Sequence, residues 1–145
     1  MLRDLEPSVI ADAVANGLLD PRCEQIFARA KTAEKPEGES LRLHRHQREA
    51  IEVAGSGANY VLTTGTGSGK SLAYIVPIVD HVLRNGTGRG IQAFVVYPMN
   101  ALANSQLGEL EKFLSIGRAG STNLVSFRRY TGQEKDPDAD VLFAS

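Results

Sequence analysis

The segment YVLTTGTGSGKSLAYIVPIV, from Tyr60 to Val79, places a Gly- and Thr-rich run between two apolar runs. This order predicts a β-strand, a tight loop and a helix. Gly65, Gly67 and Gly69 let the loop curl, so that successive backbone N–H groups converge on one anion. The helix that follows adds the positive end of its dipole at the same place. The segment therefore predicts a phosphate-binding loop in an α/β domain.

The loop matches the phosphate-binding pattern G-x-x-x-x-G-K-[ST] at Gly69, Lys70 and Ser71, but Thr64 stands where the first glycine is expected. Lys70 is predicted to reach the β- and γ-phosphates of a nucleotide, and Ser71 to offer its hydroxyl to Mg²⁺. Both are candidate catalytic residues. The alternative is a Gly-rich turn without a function. The candidate nucleotide-binding residues of the loop are Thr64, Gly65, Thr66, Gly67, Ser68, Gly69, Lys70 and Ser71.

Strand-like and helix-like segments alternate after residue 40, which predicts a parallel sheet flanked by helices. Two short helices and the polar linker KPEGES come before them, so we divide the chain into a helical accessory segment, 1–40, and an α/β domain, 41–145. The predicted helices of the accessory segment are SVIADAVANG and DPRCEQIFARAKTAE. The predicted strands are NYVLTT, IQAFVVYP, NLVSFRRYT and DVLFAS, and the helices among them are KSLAYIVPIVDHVLRNG and NALANSQLGELEKFLSIG.

Composition excludes few classes of protein. A length of 145 residues and a net charge of −1 fit one globular domain without the strong positive charge of many nucleic-acid-binding proteins. No apolar run reaches the roughly 18 residues of a membrane span, and MLRDLEPS lacks the apolar region of a secretory signal. Cys23 is the single cysteine and cannot form an internal disulfide, so we expect it to be a core residue of a cytoplasmic protein. The lack of a long apolar run leads us to expect no membrane partner.

The loop TGTGSGKS resembles motif I of superfamily 2 helicases, A-x-x-G-x-G-K-[ST], in which Ala, Ser or Thr takes the first position. Thr64 is then a feature of the family. The resemblance implies a recA-like domain that binds ATP and Mg²⁺ and couples ATP hydrolysis to movement on nucleic acid.

Gln47, in LRLHRHQREAI, lies 23 positions before Lys70, and the same family has a glutamine about twenty residues before this lysine. A glutamine amide can accept from N6 and donate to N7 of adenine at once. By analogy with adenine readout in DNA, the pair is worth roughly 1–3 kcal/mol and favours ATP over GTP. The alternative is an ordinary exposed glutamine on a helix. His44 and His46 flank Gln47 and are expected to be solvated.

FVVYPMNALANSQ stands where the family has motif Ia, P-T-x-x-L-x-x-Q, and its YPMNALA variant resembles a branch of bacterial DNA-repair and phage-defence helicases that includes DISARM-type systems. The resemblance implies nucleic acid, DNA more than RNA, bound without sequence readout at a helix N-terminus. The alternative is a βα turn capped by Asn100. The candidate nucleic-acid-binding residues are Pro98, Met99, Asn100 and Ala101, with Thr131 and Gly132 of a later loop.

Superfamily 2 enzymes also need a D-E-x-[HD] sequence after a strand, and no apolar run of this chain leads into one. We therefore expect the first part of motor domain 1 of a DNA helicase or translocase, truncated before the DExH box and inactive alone. The rest of the helicase or a partner subunit would complete it. The alternatives are a non-translocating nucleotide-binding subunit of a complex and a small-molecule P-loop kinase, which Gln47 and motif Ia disfavour.

Overall fold

The computed structural model describes residues 8–29, 32, 34–35, 38–63, 69–86, 89–98, 100–114 and 125–127. They form five helices and one small two-stranded antiparallel sheet. In chain order the elements are α1 (Ile10–Ala15), α2 (Arg22–Ile26), β1 (Ala28–Arg29), β2 (Glu39–Ser40), α3 (Arg45–Gly55), α4 (Leu72–Asn85) and α5 (Asn100–Leu114).

The accessory segment contains both predicted helices, but the second is much shorter than predicted. α2 ends at Ile26, the chain leaves helical geometry at Phe27, and Ala28 pairs with Ser40 across an antiparallel ladder. The Phe27 ring is fully buried, so core packing overrides the helical pattern at this point. The end of the predicted linker, Glu39–Ser40, is correspondingly the strand β2. The division of the chain at residue 40 stays a prediction.

The accessory segment shares one hydrophobic core with α3 and α4. The Ile10 N–H donates to the Leu41 carbonyl at 2.9 Å, which holds the start of α1 against the chain leading into α3. Cys23 is a core residue as expected, and burial raises the pKa of its thiol to about 12. The core cluster consists of Ile10, Ala13, Leu19, Cys23, Phe27, Leu41, Leu43, Ile51, Ile75, Val76, Val79 and Leu83.

The parallel sheet is not formed within the described part of the chain. Residues 59–63 and 91–97, which belong to the predicted strands 59–64 and 91–98, have no regular secondary structure and no ladder partner there. Val61, Phe94 and Val96 are 80–89% exposed, whereas a central parallel strand is covered on both faces. These segments therefore carry the composition of buried strands without the neighbours that would pair with them. The other two predicted strands lie outside the described residues, except for 125–127, which also lack regular structure.

An ionic cluster fastens the accessory segment to the second half of α4. The Asp20 N–H donates to Asp80 Oδ1 at 2.6 Å, and both Asp20 oxygens accept from the Arg22 guanidinium. Arg22 Nη2 also donates to the Leu83 carbonyl at 2.7 Å, while Arg84 Nε donates to Asp80 at 3.0 Å. The cluster joins the segment between α1 and α2 to one face of α4.

We expect the stability of the protein to fall as the pH drops from about 4 to about 2. The hydrogen bond from Arg22 lowers the pKa of Asp20 to about 2, from 3.8. A carboxyl whose pKa is lower in the folded state stabilises the fold above its unfolded pKa and loses that contribution as it is protonated. Thermal unfolding measured from pH 5 to pH 2 would show the decline, and Asp20→Asn would show a shallower one. Equal slopes for both proteins would contradict this assignment.

Candidate nucleotide-binding site

The end of the predicted phosphate-binding loop, Gly69 to Ser71, leads directly into α4, and a helix follows the loop as predicted. Ser71 is the residue before the helix, and its carbonyl accepts from the N–H groups of Tyr74 at 3.2 Å and Ile75 at 2.9 Å. The Lys70 carbonyl accepts from the Ala73 N–H at 3.1 Å. The first turn of α4 is therefore built on the two residues that the sequence assigns to phosphate and Mg²⁺.

The side chains of Lys70 and Ser71 are half-buried and make no hydrogen bond or ion pair with any other residue that the structure describes. An ammonium without a carboxylate partner at the start of a helix suits an anionic ligand. The hydroxyl of Ser71 is a hard oxygen donor, which fits Mg²⁺ held mainly by nucleotide phosphates and water. The loop residues Thr64, Gly65, Thr66, Gly67 and Ser68 lie outside the described residues.

Gln47 lies beside the end of the loop, although 22 residues separate it from Gly69. Its Nε2 donates to the Gly69 carbonyl at 2.7 Å, and its Oε1 accepts from the His44 N–H at 2.8 Å. The residue is 1% exposed. Both polar atoms of the amide are therefore bonded within the protein, and the residue has almost no surface exposed. The structure places Gln47 against Gly69, at the end of the predicted loop.

Gly69 is required by both its backbone and its surroundings. Its φ of +112° lies in a region that residues with a side chain rarely adopt, and an added Cβ would be 2.7 Å from Gln47 Nε2. The close approach of α3 to the loop therefore depends on the absence of a side chain at this position.

The two histidines before and after Arg45 stack against each other. The His44 and His46 rings are 5.6 Å apart with 6° between their planes. Over the described ranges, no group of three or more His, Cys, Asp or Glu side chains is gathered in a way that could hold a metal ion. A metal at this site would depend on Ser71 and the nucleotide.

Two tyrosine hydroxyls that no sequence motif predicts as part of the site contact the first turns of α4. The Tyr60 hydroxyl donates to the Ala73 carbonyl at 2.6 Å, and the hydroxyls of Tyr97 and Tyr74 share a hydrogen bond of 2.7 Å. Burial is the main cause that raises the pKa of Tyr97 well above its ordinary value, and the hydrogen bond with Tyr74 raises it further. The sequence carries a signal that a donor is needed, because Pro77 leaves the carbonyl four residues before it without a helical donor, but no signal that Tyr60 is that donor.

The candidate nucleic-acid-binding residues are only partly described. Pro98 is exposed, and Asn100 and Ala101 begin α5, so a helix starts at motif Ia as predicted. Met99, Thr131 and Gly132 lie outside the described residues. In the portion that the structure describes, no helix is both long and apolar enough to cross a membrane.

Comparison with known proteins identifies helicases. A family profile described as DEAD/DEAH box helicase matches residues 44–144. The chain is 32% identical over 111 residues to the Druantia protein DruE of Escherichia coli (strain UMEA 4076-1), covering 66% of this chain and 6% of DruE. It is 33% identical over 94 residues to the uncharacterized ATP-dependent helicase YprA of Bacillus subtilis (strain 168), covering 65% of this chain and 12% of YprA.

A eukaryotic relative aligns with a shorter part of the chain. The ATP-dependent helicase hrq1 of Schizosaccharomyces pombe (strain 972 / ATCC 24843) is 36% identical over 72 residues, covering 50% of this chain and 6% of hrq1. The chain therefore spans 6% to 12% of the length of these relatives. No solved structure matches it significantly.

Proposed function

The chain belongs to the DEAD/DEAH box helicase family, and from this premise we propose that it is the ATP-binding first part of motor domain 1 of a DNA helicase or translocase. The observation that carries the proposal is the contact of Gln47 with Gly69, which joins α3 to the phosphate loop at the start of α4. A Gly-rich turn without a function would not require a buried amide at hydrogen-bond distance from its last glycine.

The fold of the family is a recA-like α/β domain. We propose that residues 59–64 and 91–98 are strands of its parallel sheet, and that residues 1–40 are an accessory segment packed on α4. The apolar character of the two segments and their exposure here support this assignment.

We assign the chemistry of ATP hydrolysis to few groups of this chain. The Lys70 ammonium would neutralise charge on the β- and γ-phosphates, and the Ser71 hydroxyl would be a ligand of Mg²⁺, which balances charge on the transferred phosphate. The backbone N–H groups of the loop, from Thr64 to Gly69, would hold the phosphates. Catalysis of this kind is positioning and electrostatic stabilisation, so the rigidity of the loop matters as much as its charge.

Gln47 is expected to set the preference for ATP over GTP. Replacing it with alanine removes the amide that pairs with adenine, and the ratio of the two affinities should shrink by about tenfold. Titration of the full-length protein with each nucleotide would measure the ratio. Loss of both affinities in equal proportion would instead mean that Gln47 only holds the loop through Gly69 and that another group reads the base.

The nucleic acid is proposed to pass the N-terminus of α5, where Pro98 to Ala101 would contact phosphate, and then Thr131 and Gly132. The YPMNALA variant of motif Ia is the basis for proposing that the protein belongs to the bacterial DNA-repair or phage-defence branch. We propose with it that the bound nucleic acid is DNA and that the protein is cytoplasmic. In support of the bacterial branch alone, the two bacterial relatives align with more of the chain than hrq1 does.

Asn100→Asp tests the proposed nucleic-acid contact. A carboxylate facing a phosphate should cost about 1 kcal/mol, roughly fivefold in Kd, equally for all sequences. The same carboxylate favours the helix N-terminus, so unfolding would not explain the loss. The exposed Ser105 of α5 offers a matched control, since Ser105→Asp adds the same charge five residues, about one and a half turns, further along the helix.

The measurement is the binding of single-stranded DNA and RNA by the full-length protein, together with the ATP hydrolysis that each stimulates. Weaker nucleic-acid binding by Asn100→Asp but not by Ser105→Asp supports the contact. An equal loss of binding in both variants contradicts it. ATP binding without any stimulation by nucleic acid would overturn the helicase assignment and favour a non-translocating nucleotide-binding subunit.

A further inference from the structure

We propose that Tyr60 is a positioning residue for the nucleotide site, and that its hydroxyl replaces the backbone hydrogen bond that Pro77 removes from α4. The two residues would form a matched pair, in which the proline creates a free carbonyl in the first turn of α4 and the tyrosine satisfies it.

Pro77 lies inside α4, at the sixth of its 14 residues. In an α-helix the carbonyl of residue i accepts from the N–H of residue i+4, so the donor for Ala73 would be residue 77. Proline has no N–H, and the bond cannot form. Ala73 is 0% exposed, so water does not replace the donor at its surface. A buried carbonyl without a partner is unfavourable, and native structures satisfy nearly all such groups.

Tyr60 supplies the missing donor from another part of the chain. Its hydroxyl donates to the Ala73 carbonyl at 2.6 Å, a short and well-formed bond. The residue is still 36% exposed, so apolar burial alone does not account for its position. A tyrosine hydroxyl, with an ordinary pKa of about 10, is protonated and able to donate at neutral pH, and burial raises the pKa of Tyr60 further.

The bond connects the two ends of the phosphate loop. Tyr60 comes four residues before Thr64, where the loop begins, and Ala73 comes two residues after Ser71, where it ends. The hydrogen bond therefore fixes the separation between the chain that enters the loop and the helix that leaves it. Phosphate binding by several backbone N–H groups at once requires that separation to be held.

A double-mutant cycle of Tyr60→Phe and Pro77→Ala tests the pairing in the full-length protein. With proline at 77, Tyr60→Phe leaves the Ala73 carbonyl unsatisfied, and we expect about a tenfold increase in the Kd for ATP and a lower midpoint of thermal unfolding. With alanine at 77, the new N–H satisfies the carbonyl within the helix. Tyr60→Phe should then change the Kd by less than about twofold.

Tyr97→Phe provides the matched control, because it also removes a hydroxyl bonded to α4, but one bonded to the Tyr74 side chain. Pro77→Ala should not rescue it. The pairing is overturned if Tyr60→Phe has the same effect on Kd and unfolding with either residue at 77, or if Pro77→Ala rescues both tyrosine variants alike. The nucleotide readout rests on the proposed ATP site. Wild-type protein that binds no ATP would refute that site, whereas the unfolding cycle tests the pairing independently.

Discussion

Lys70→Ala is expected to abolish most ATP hydrolysis, lowering the rate by about 10²–10³, the range observed when one positioned electrostatic group is removed from an active site. The Lys70 ammonium has no carboxylate partner among the described residues, so its charge is available to the phosphates. Its removal breaks no hydrogen bond or ion pair with another residue that the structure describes. Steady-state hydrolysis by the full-length protein, with and without single-stranded DNA, measures the effect.

Lys112→Ala is the matched control for Lys70→Ala. Lys112 also carries an ammonium, but it pairs with Glu109 on an exposed face of α5, where such a pair contributes about 0–1 kcal/mol. Hydrolysis should be unchanged in this variant. Stimulated hydrolysis that persists in Lys70→Ala would mean that the chemistry is carried by other residues.

Gly69→Ala is expected to disrupt the site through its geometry rather than its charge. A side chain at φ +112° costs about 1–3 kcal/mol, and the added Cβ would be 2.7 Å from Gln47 Nε2. Either the loop or Gln47 must move, so ATP affinity should fall by about 10- to 100-fold. Calorimetric titration with ATP and thermal unfolding of the same sample would separate the loss of affinity from the loss of stability.

Gly57→Ala separates the two causes, since Gly57 also has a positive φ, +77°, but its Cβ would meet nothing within 4 Å. The Gly57→Ala variant should be less stable than the wild type but should bind ATP with the same affinity. Gln47→Ala removes two buried hydrogen bonds and should lower the midpoint of unfolding by itself, but it should lower the midpoint less in Gly69→Ala than in the wild type, because it also removes the contact with the new Cβ. An equal decrease in both backgrounds would indicate that backbone strain alone accounts for the effect of Gly69→Ala.

The site could be predicted from the sequence where the evidence was local. The spacing of Gly69, Lys70 and Ser71 and the apolar pattern after them predicted a loop followed by a helix, and α4 confirms the helix. Gln47 was predicted from its distance to Lys70, and the structure places it against the loop. Its nearly complete burial was not predicted, because spacing along the chain carries no information on packing between α3 and the loop.

Long-range contacts limited the rest of the prediction. A helical pattern through Phe27 and Ala30 predicted a long second helix, but the burial of Phe27 and the pairing of Ala28 with Ser40 end it early. The Tyr60 contact likewise joins segments whose proximity no periodicity encodes. The predicted strands at 59–64 and 91–98 have the right composition, yet a strand forms only with a neighbour that pairs with it.

The shared core of the accessory segment and α4 has a thermodynamic consequence. Ile10 and Phe27 pack in the same cluster as Ile75 and Val76, so opening the accessory segment exposes the apolar face of α4. The two parts then belong to one cooperative unfolding unit. A ligand that binds only the closed form raises its stability by about 2.7 kcal/mol at a concentration 100 times its Kd. ATP bound at the first turn of α4 would thereby slow amide hydrogen exchange in α1 and α2, which contribute none of the candidate nucleotide-binding residues.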